Sequence, residues 1–439
     1  MIIRKVFFVL CILCSLALKA QNADNHINEL ISKSDWFGLD KEYSVSKDSI
    51  EDPICRLVSE ALLGLHFNRQ QDAINAIDTL LLRYQSEIGL ANTNSFFNFA
   101  VYAYGDQGRY AEAADLNNRF LTQLSPNMTI DEINLHKRNI RYFNSLSNGN
   151  RPEVVTSQED IKIPFQFESM NFYGVAAGNY IIIPISIHGK TYRFCFDTGA
   201  AGCVIPERVA NEIGIKTLVD SIRINGVKES FGHVVGLLDS FSIGGISCRD
   251  IQFLINTTKT GTDSVFFSQI DGILGLNVIK RLGEMQLLPK EKMIIFPSKQ
   301  TEMPITGRNM MIMLDDNNVV IRVLSGEKPL MMLFDSGASN SCLSNKYYLS
   351  NKSWIESNSK IEVNRKYGSG GLIDYKSYRI PSLPFKVGDL SFTLSDFLVE
   401  VGQQALQNSE VDGTIGNDLI VPFSRVIVNF DKMFIEFEK

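Results

Sequence analysis

Two aspartates in the 439-residue sequence occur in the same four-residue motif. One copy is Asp197-Thr198-Gly199-Ala200 and the other is Asp335-Ser336-Gly337-Ala338. Average residue frequencies give about 0.02 chance matches to this pattern in a chain of such length, so the pair is not accidental. Two carboxyl groups held close together cannot both ionise, and they share one proton as a base and an acid. Such a pair meets the requirements of metal-free amide hydrolysis, which needs a base for water and an acid for the carbonyl oxygen.

Each motif ends a predicted β-hairpin. Tyr180 to Phe196 forms two apolar runs around a turn at His188-Gly189-Lys190, and Val319 to Phe334 does the same around Ser325-Gly326-Glu327. A lone Asp-Thr-Gly is as often a solvated surface turn. Here the apolar residues before each aspartate predict that it emerges from a buried strand.

The residues beyond each motif also repeat in the same order. Asp271 to Gly275 is answered by Asp412 to Gly416, and each segment is followed by a closing hairpin, at Met285 to Phe296 and at Arg425 to Phe437. The aspartates that open the two segments precede glycine at turns, so we expect them to be structural. The region after Arg151 is therefore predicted to be an all-β structure made of two similar halves.

At these residues the chain resembles the aspartic proteases, and more closely the retropepsin-like group found in bacteria than the pepsins. The resemblance covers about Tyr173 to the C-terminus and implies a two-lobed acid-protease barrel. It implies that Asp197 and Asp335 are the catalytic dyad of an endopeptidase that hydrolyses peptide or protein substrates with an activated water. It also implies that a monomer is sufficient, because both halves lie on one chain, and that no cofactor is needed.

The same resemblance gives roles to the neighbours of the dyad. The hydroxyl residues would bond across to the opposite loop, and the glycines would let the two loops approach closely. These supporting residues are Thr198, Gly199, Ser336 and Gly337. Ala200 and Ala338 replace a serine that donates to the outer carboxylate oxygen in pepsins. Losing a donor to the ionised form makes the dyad less acidic, so we expect an optimum at mildly acidic or neutral pH.

In this family a β-hairpin flap closes over the peptide and binds it as an added strand. Two segments are candidates, residues 224–235 in the first half and 366–374 in the second. An ordinary mobile loop is the alternative for both. The candidate substrate-binding residues are Phe231, Gly232, Gly368, Gly370 and Gly371.

Residues 21–150 have a different pattern, because their apolar residues recur at three- and four-residue steps and Gly and Pro are scarce. This predicts an α-helical domain. Phe67 to Ile74 and Gln107 to Ala114 match at an offset of 40, and the second copy resembles a tetratricopeptide repeat, whose helix pairs stack on their neighbours. Such helices either form a groove for a protein partner or only pack as a bundle, and two imperfect copies favour simple packing.

Residues 1–20 are predicted to be a signal peptide. Arg4 and Lys5 precede an apolar run from Val6 to Leu18, which is shorter than the roughly 20 residues that cross a bilayer. We therefore expect an exported protein, periplasmic, cell-surface or secreted, without a permanent membrane span. The predicted organisation is α+β and multidomain, with a helical hairpin domain at 21–150 and protease lobes at 160–300 and 301–439.

Composition narrows the function further. The chain has 44% hydrophobic and 21% charged residues and a net charge of -6, which indicates packed domains and gives no basic surplus for nucleic acid. The five histidines lack metal-ligand spacing, so no metal is expected. The cysteines outside the signal peptide are expected to be buried free thiols rather than disulfides. They are Cys55, Cys195, Cys203, Cys248 and Cys342.

Two alternatives remain. A non-catalytic protein would bind a peptide or partner through the helical repeats and use the β lobes as a scaffold, although a scaffold has no need of two facing carboxyl groups. A zymogen would use the helical domain to occlude the cleft until the chain is cut near residues 149–160.

Overall fold

The computed structural model describes residues 22–147, 149–225, 230–314, 317–368, 371–402 and 411–439. The predicted signal peptide and the flap candidate Gly370 lie outside these ranges. The chain divides into two compact units, one extending to Pro152 and the other from Glu153 to Lys439. The first unit is helical and the second is rich in β-strands, which is the α+β organisation expected from the sequence.

The first unit consists of amphipathic α-helices connected by short turns, as the spacing of apolar residues predicts. Consecutive helices from α3 to α7 pack on one another. The α-helices in the described residues of this unit are α1 (Asn22–Ser32), α2 (Trp36–Ser46), α3 (Pro53–His66), α4 (Gln70–Arg83), α5 (Gln85–Asp106), α6 (Tyr110–Leu124) and α7 (Ile130–Ser147).

The two matching segments of this unit share one turn geometry. Asn68 and Gly108, which are 40 residues apart, both have positive φ, 57° and 67°. The next residue in each turn donates its N–H to the carbonyl oxygen five positions earlier, at 2.7 and 2.9 Å. Asn and Gly are the residues that adopt this left-handed conformation most readily. The helix–turn–helix geometry is thus duplicated, and its assignment as a tetratricopeptide repeat stays a prediction.

The second unit contains two β-rich halves, here called the first half (160–300) and the second half (301–439), preceded by β1 (Glu153–Val155). The elements of the first half are β2 (Ile161–Pro164), β3 (Gln166–Phe172), β4 (Val175–Ile187), β5 (Lys190–Phe196), β6 (Cys203–Pro206), α8 (Glu207–Ile213), β7 (Lys216–Asn225), β8 (Ser230–Ile243), β9 (Ile246–Asn256), α9 (Gly261–Phe267), β10 (Gly272–Leu274), α10 (Leu276–Ile279), β11 (Glu284–Leu288) and β12 (Met293–Phe296).

The second half repeats this order. Its elements are β13 (Met310–Ile312), β14 (Val319–Ser325), β15 (Lys328–Phe334), β16 (Cys342–Leu343), α11 (Asn345–Asn358), β17 (Ile361–Gly368), β18 (Gly371–Val387), β19 (Leu390–Val401), β20 (Gly413–Ile415), β21 (Arg425–Asn429) and β22 (Phe434–Glu438). The hairpin turns fall where the sequence places them, and His188 and Gly189 both have positive φ, as a two-residue turn of type I′ requires.

Strand pairing closes a ring in each half. In the first half β4, β5, β10, β6, β9 and β8 pair in that order, and β8 pairs back with β4. In the second half β14, β15, β20, β16, β19 and β18 form the same circuit. A closed sheet leaves no unpaired edge among these strands and fixes the position of residues at its strand ends.

A separate sheet joins the two halves. The closing hairpin β11–β12 of the first half pairs through β11 with β21 of the hairpin β21–β22 of the second half. Strand β2 completes this five-stranded sheet next to β12. The sequence predicts both hairpins but not their mutual pairing, because the register depends on contacts between segments about 140 residues apart.

Helices interrupt the halves that the sequence predicts to be all-β. The clearest is α11, whose first turn is capped by the side chain of Ser344, and which buries Tyr347, Tyr348 and Ile355. A serine before a helical run is a start signal for a helix. The all-β prediction is therefore correct for the strand framework and incomplete for the connections.

Candidate active site

The two motif aspartates occupy equivalent places at the ends of strands. Asp197 follows β5 and Asp335 follows β15, and each of these strands pairs in parallel with a short strand, β10 or β20. The amide of Asp197 donates to the Leu274 carbonyl oxygen, and that of Asp335 donates to the Ile415 carbonyl oxygen, both at 3.0 Å. The closed rings thus hold both backbone segments rigidly.

The two loops after these strands bind each other symmetrically. The Thr198 hydroxyl donates to the Phe334 carbonyl oxygen and the Ser336 hydroxyl donates to the Phe196 carbonyl oxygen, both at 2.8 Å. Each hydroxyl oxygen also accepts the amide N–H of the other residue at 3.0 Å. Thr198 and Ser336 are completely buried. These four bonds satisfy every polar group of the two hydroxyls and fix the loops against one another.

The two carboxyl groups meet because glycine follows each hydroxyl residue. A Cβ atom at Gly199 would lie 2.4 Å from Oδ1 of Asp335, and one at Gly337 would lie 2.3 Å from Oδ1 of Asp197. No side chain fits at such distances. Each carboxyl group therefore lies against the glycine of the opposite loop, close enough for the charge of Asp335 to act on Asp197. The structure thus brings together the pair that the sequence singles out.

Each carboxyl group is also held by its own loop. Oδ1 of Asp197 accepts the N–H groups of Gly199 and Ala200 at 2.8 and 3.0 Å. Oδ1 of Asp335 accepts the corresponding pair of N–H groups at 2.8 and 3.1 Å. Both side chains keep partial exposure to solvent, so water can reach the pair.

Burial raises the pKa of both aspartates. For Asp197 the surrounding protein is the largest cause and the charge of Asp335 is the second, and the pKa lies well above its usual value. Burial likewise raises the pKa of Asp335, against the lowering effect of the nearby N–H donors and of the neighbouring Asp197. The pair therefore retains one proton at a pH at which isolated carboxyl groups would both be ionised.

Asn417 is a positioning residue that the sequence analysis missed. Its side-chain amide is fully buried and donates to the carbonyl oxygens of Ser336 and Asn179, at 2.8 and 2.7 Å. Its backbone N–H donates to the Ala338 carbonyl oxygen at 2.8 Å. The sequence does contain a signal for this role. Asn417 directly follows the segment that ends at Gly416, whereas Leu276 follows the equivalent segment of the first half.

A cluster of aromatic and aliphatic side chains lies beside the dyad in the first half. Tyr180 belongs to it, and burial together with the charges of both aspartates raises the pKa of this phenol to about 12. A Cβ atom at Gly178 would lie 2.3 Å from the Ser339 hydroxyl oxygen and 2.6 Å from the Tyr180 ring, so the two halves also meet beside this tyrosine. The other members of this aromatic cluster include Phe172, Cys195, Phe266, Ile273 and Tyr367.

The described residues of both flap candidates lie in antiparallel strand pairs. In the first half, Phe231 and Gly232 lie in β8 and pair with Ile224 and Arg223 of β7. In the second half Gly368 ends β17 and pairs with Gly371, which begins β18. Their role in binding substrate stays a prediction.

The second-half hairpin contacts the first half. Tyr367 of β17 stacks on Phe172 of β3, with ring centroids 4.8 Å apart. The Thr262 hydroxyl of α9 donates to the Gly368 carbonyl oxygen at 3.1 Å. One wall of the aromatic cluster therefore comes from the opposite half.

The aspartates that open the repeated glycine segments support strands. Oδ2 of Asp271 accepts the backbone N–H of Arg193, at 2.9 Å, and Oδ2 of Asp412 accepts that of Met331, at 2.8 Å. Each carboxylate also forms an ion pair with a basic residue, Arg208 or Lys346. These contacts tie the helix after β6 or β16 to the strand that carries a dyad aspartate.

Other kinds of site have little support in the described part of the chain. No group of three or more His, Cys, Asp and Glu side chains among those residues is placed to hold a metal ion. None of the helices described is both long and apolar enough to cross a membrane. The five cysteines predicted to be buried thiols are all buried and unpaired.

Comparison with known families is informative for the first half. Residues 183–278 match a family model described as aspartyl protease. The matched segment runs from β4 to α10 and contains Asp197, and it supports a retropepsin-like aspartyl protease domain, a peptidase activity in general and a peptide substrate. No curated protein matches the chain.

Proposed function

We propose that the protein is an aspartic endopeptidase in which Asp197 and Asp335 share one proton and activate a water. The observation that carries this proposal is the close approach of two carboxyl groups from different halves, each of which lies against the glycine of the opposite loop. The match to the aspartyl protease model supports it for the first half, and the equivalent strand circuit of the second half supports an acid-protease barrel with two lobes.

The reaction follows from the single shared proton. The ionised carboxylate takes a proton from the water, and the water oxygen attacks the carbonyl carbon of the peptide. The protonated carboxyl group gives its proton to the carbonyl oxygen. Collapse of the gem-diol intermediate then breaks the C–N bond. The pair delivers its proton to the leaving nitrogen, and one hydroxyl of the intermediate returns a proton to the pair as it becomes the product carbonyl. The pair ends with one proton, as it began. Thr198, Gly199, Ser336 and Gly337 position the carboxyl groups in this scheme.

Both halves lie on one chain, so a monomer is sufficient for this chemistry. The flap candidates would cover the bound peptide, and the helical unit would be a tetratricopeptide-like domain that packs or binds a protein partner. Export to the periplasm, the cell surface or the medium rests on Arg4, Lys5 and the apolar run that follows them.

The proposal is tested by Asp197→Asn and Asp335→Asn. Each change removes the acid–base pair, and we expect cleavage of a peptide library to fall by at least about a thousandfold. The matched control is Asp396→Asn, since Asp396 is exposed and has a φ of 54° that asparagine tolerates. Thermal unfolding should show that all three variants stay folded.

Full cleavage by either dyad variant would exclude the enzymatic proposal and favour the non-catalytic alternative. That alternative has one supporting observation, the duplicated helix–turn–helix geometry at Asn68 and Gly108. In a scaffold of this kind neither aspartate would matter to partner binding or to any other activity.

A further inference from the structure

Each half contains one pair of residues on neighbouring strands close to its dyad aspartate, here called the floor of that half. The floor is Ile273 and Val204 in the first half and Thr414 and Cys342 in the second, and its chemistry differs between them. In the first half Ile273 of β10 pairs with Val204 of β6, and both side chains are partly exposed within the aromatic cluster. In the second half the same two positions of the strand circuit hold Thr414 and Cys342, and both are buried. The pair is therefore apolar in the first half and polar in the second. Thr414 directly precedes Ile415, whose carbonyl oxygen accepts the Asp335 amide.

The polar pair of the second half adjoins an ion pair. The Lys366 ammonium donates to both carboxylate oxygens of Glu400, at 2.9 and 3.1 Å, and lies 5.1 Å from the ring centroid of Tyr375. Burial and the charge of the nearby Glu400 carboxylate raise the pKa of the Cys342 thiol. Glu400 occupies the strand position that Asn256 has in the first half, where the side chain only accepts the N–H of a turn residue, Thr258.

This arrangement is poorly explained by stability alone. An ion pair with a buried carboxylate contributes little net stability, because the cost of desolvating the carboxylate offsets the attraction. The Thr414 hydroxyl is also without a hydrogen-bond partner, although the residue is only 4% exposed. Buried polar groups are normally satisfied, so a buried hydroxyl without a protein partner requires an explanation. The second-half floor therefore carries polar groups that the fold itself does not require.

The exposed member of the ion pair is the cation. The Lys366 side chain is 23% exposed, and the Glu400 side chain is 4% exposed. An ammonium carries three N–H donors and no acceptor. The group that the second half presents to solvent at this place is therefore a hydrogen-bond donor held by a buried carboxylate.

We infer that Lys366 is a specificity-determining residue that binds a carboxylate or carboxamide side chain of the peptide. This inference rests on the proposed function. The peptide side chain that accepts the hydrogen bond would belong to the part of the substrate bound by the second half. The buried Glu400 carboxylate orients the Lys366 ammonium towards it. The substrate class is a peptide with Glu, Gln, Asp or Asn on one side of the scissile bond.

The test is a set of matched peptides that carry Glu, Gln or Leu at each position around the scissile bond. Wild-type protein should cleave the Glu or Gln peptide about tenfold better than the Leu peptide at one position, the effect of one charge-assisted hydrogen bond. Lys366→Met should abolish this preference. Lys366→Met/Glu400→Gln should do the same without leaving a buried carboxylate unpaired, which guards against misfolding of the single variant.

The control is Arg365→Met. Arg365 is adjacent in β17 and pairs with Asp374 at 2.6 Å in an exposed ion pair, so its loss should leave the preference unchanged. An equal preference in wild type and in both Lys366 variants would overturn the inference while leaving the peptidase intact. Absence of cleavage by wild type, as by Asp197→Asn, would overturn the proposed function and the inference with it.

Discussion

The first and second halves share a backbone plan and differ in the side chains around it. The strand circuit, the loop bonds and the N–H groups that hold each carboxyl group are the same in both halves. The surroundings are not, since Ile273 and Val204 give the first half an apolar floor, whereas Thr414 and Cys342 give the second half a polar one. The two halves therefore diverge in the side chains near the dyad and not in the backbone that holds it.

This difference separates two demands on the molecule. The shared proton requires that two aspartates meet in equivalent backbone settings, which explains the close agreement of the loops. Recognition of a peptide has no such symmetry, because a peptide has a direction and different side chains at each end. Duplicated loops with divergent floors are what both demands together predict.

The largest expected effect comes from adding a methyl group at Gly199 or Gly337, which tests whether the two loops are equivalent. In Gly199→Ala or Gly337→Ala the new Cβ would overlap the opposite carboxyl group, so we expect activity to fall at least about a hundredfold in both variants. The measurement is kcat/KM on one peptide. Ala200→Gly is the control, because it removes a methyl group in the same loop. Strong loss in only one variant would show that the loops are not equivalent in solution.

The next largest effect concerns the hydroxyls that cross between the loops. Thr198→Val and Ser336→Ala each remove two buried hydrogen bonds and leave an N–H and a carbonyl oxygen without a partner. We expect each to lower the free energy of unfolding by about 1–3 kcal/mol. Chemical denaturation measures this. Thr198→Ser keeps both bonds and should retain most of the stability, and a similar loss in that variant would argue against the bonds as the cause.

Sequence alone predicts the local parts of this arrangement and not the long-range ones. The two motifs, their hairpins and the buried free cysteines follow from residue type and short spacing. The pairing of β11 with β21 and the stacking of Tyr367 on Phe172 depend on which distant segments meet, and short spacing contains no information about that. Thr414 is intermediate, because the sequence shows a polar residue next to Ile415, whereas only the fold shows that its buried hydroxyl has no hydrogen-bond partner.

The contact of the second-half hairpin with the first half gives a smaller effect. Tyr367→Leu removes the stacking on Phe172 while it keeps an apolar side chain, and we expect a loss of about 1 kcal/mol in unfolding free energy. If the hairpin covers bound peptide, KM should change more than kcat. Tyr173→Leu is the control, because Tyr173 is an exposed tyrosine in the turn after Phe172. An equal effect of both changes would exclude a specific role for the stack.

The smallest effect concerns the acidity of the dyad. The active form holds one proton, and burial raises the pKa of both aspartates, so activity should appear only as pH rises through the lower pKa of the pair and should peak at mildly acidic or neutral pH. Ala200→Ser or Ala338→Ser adds a donor that favours the ionised form. The pKa then falls, and the acid limb of the kcat/KM profile should move by about half a unit to lower pH. Equal shifts of the acid limb in Ala200→Ser and Ala338→Ser would show that the two loops are also electrostatically equivalent. A wild-type optimum below about pH 3 would contradict the raised pKa values of the two aspartates.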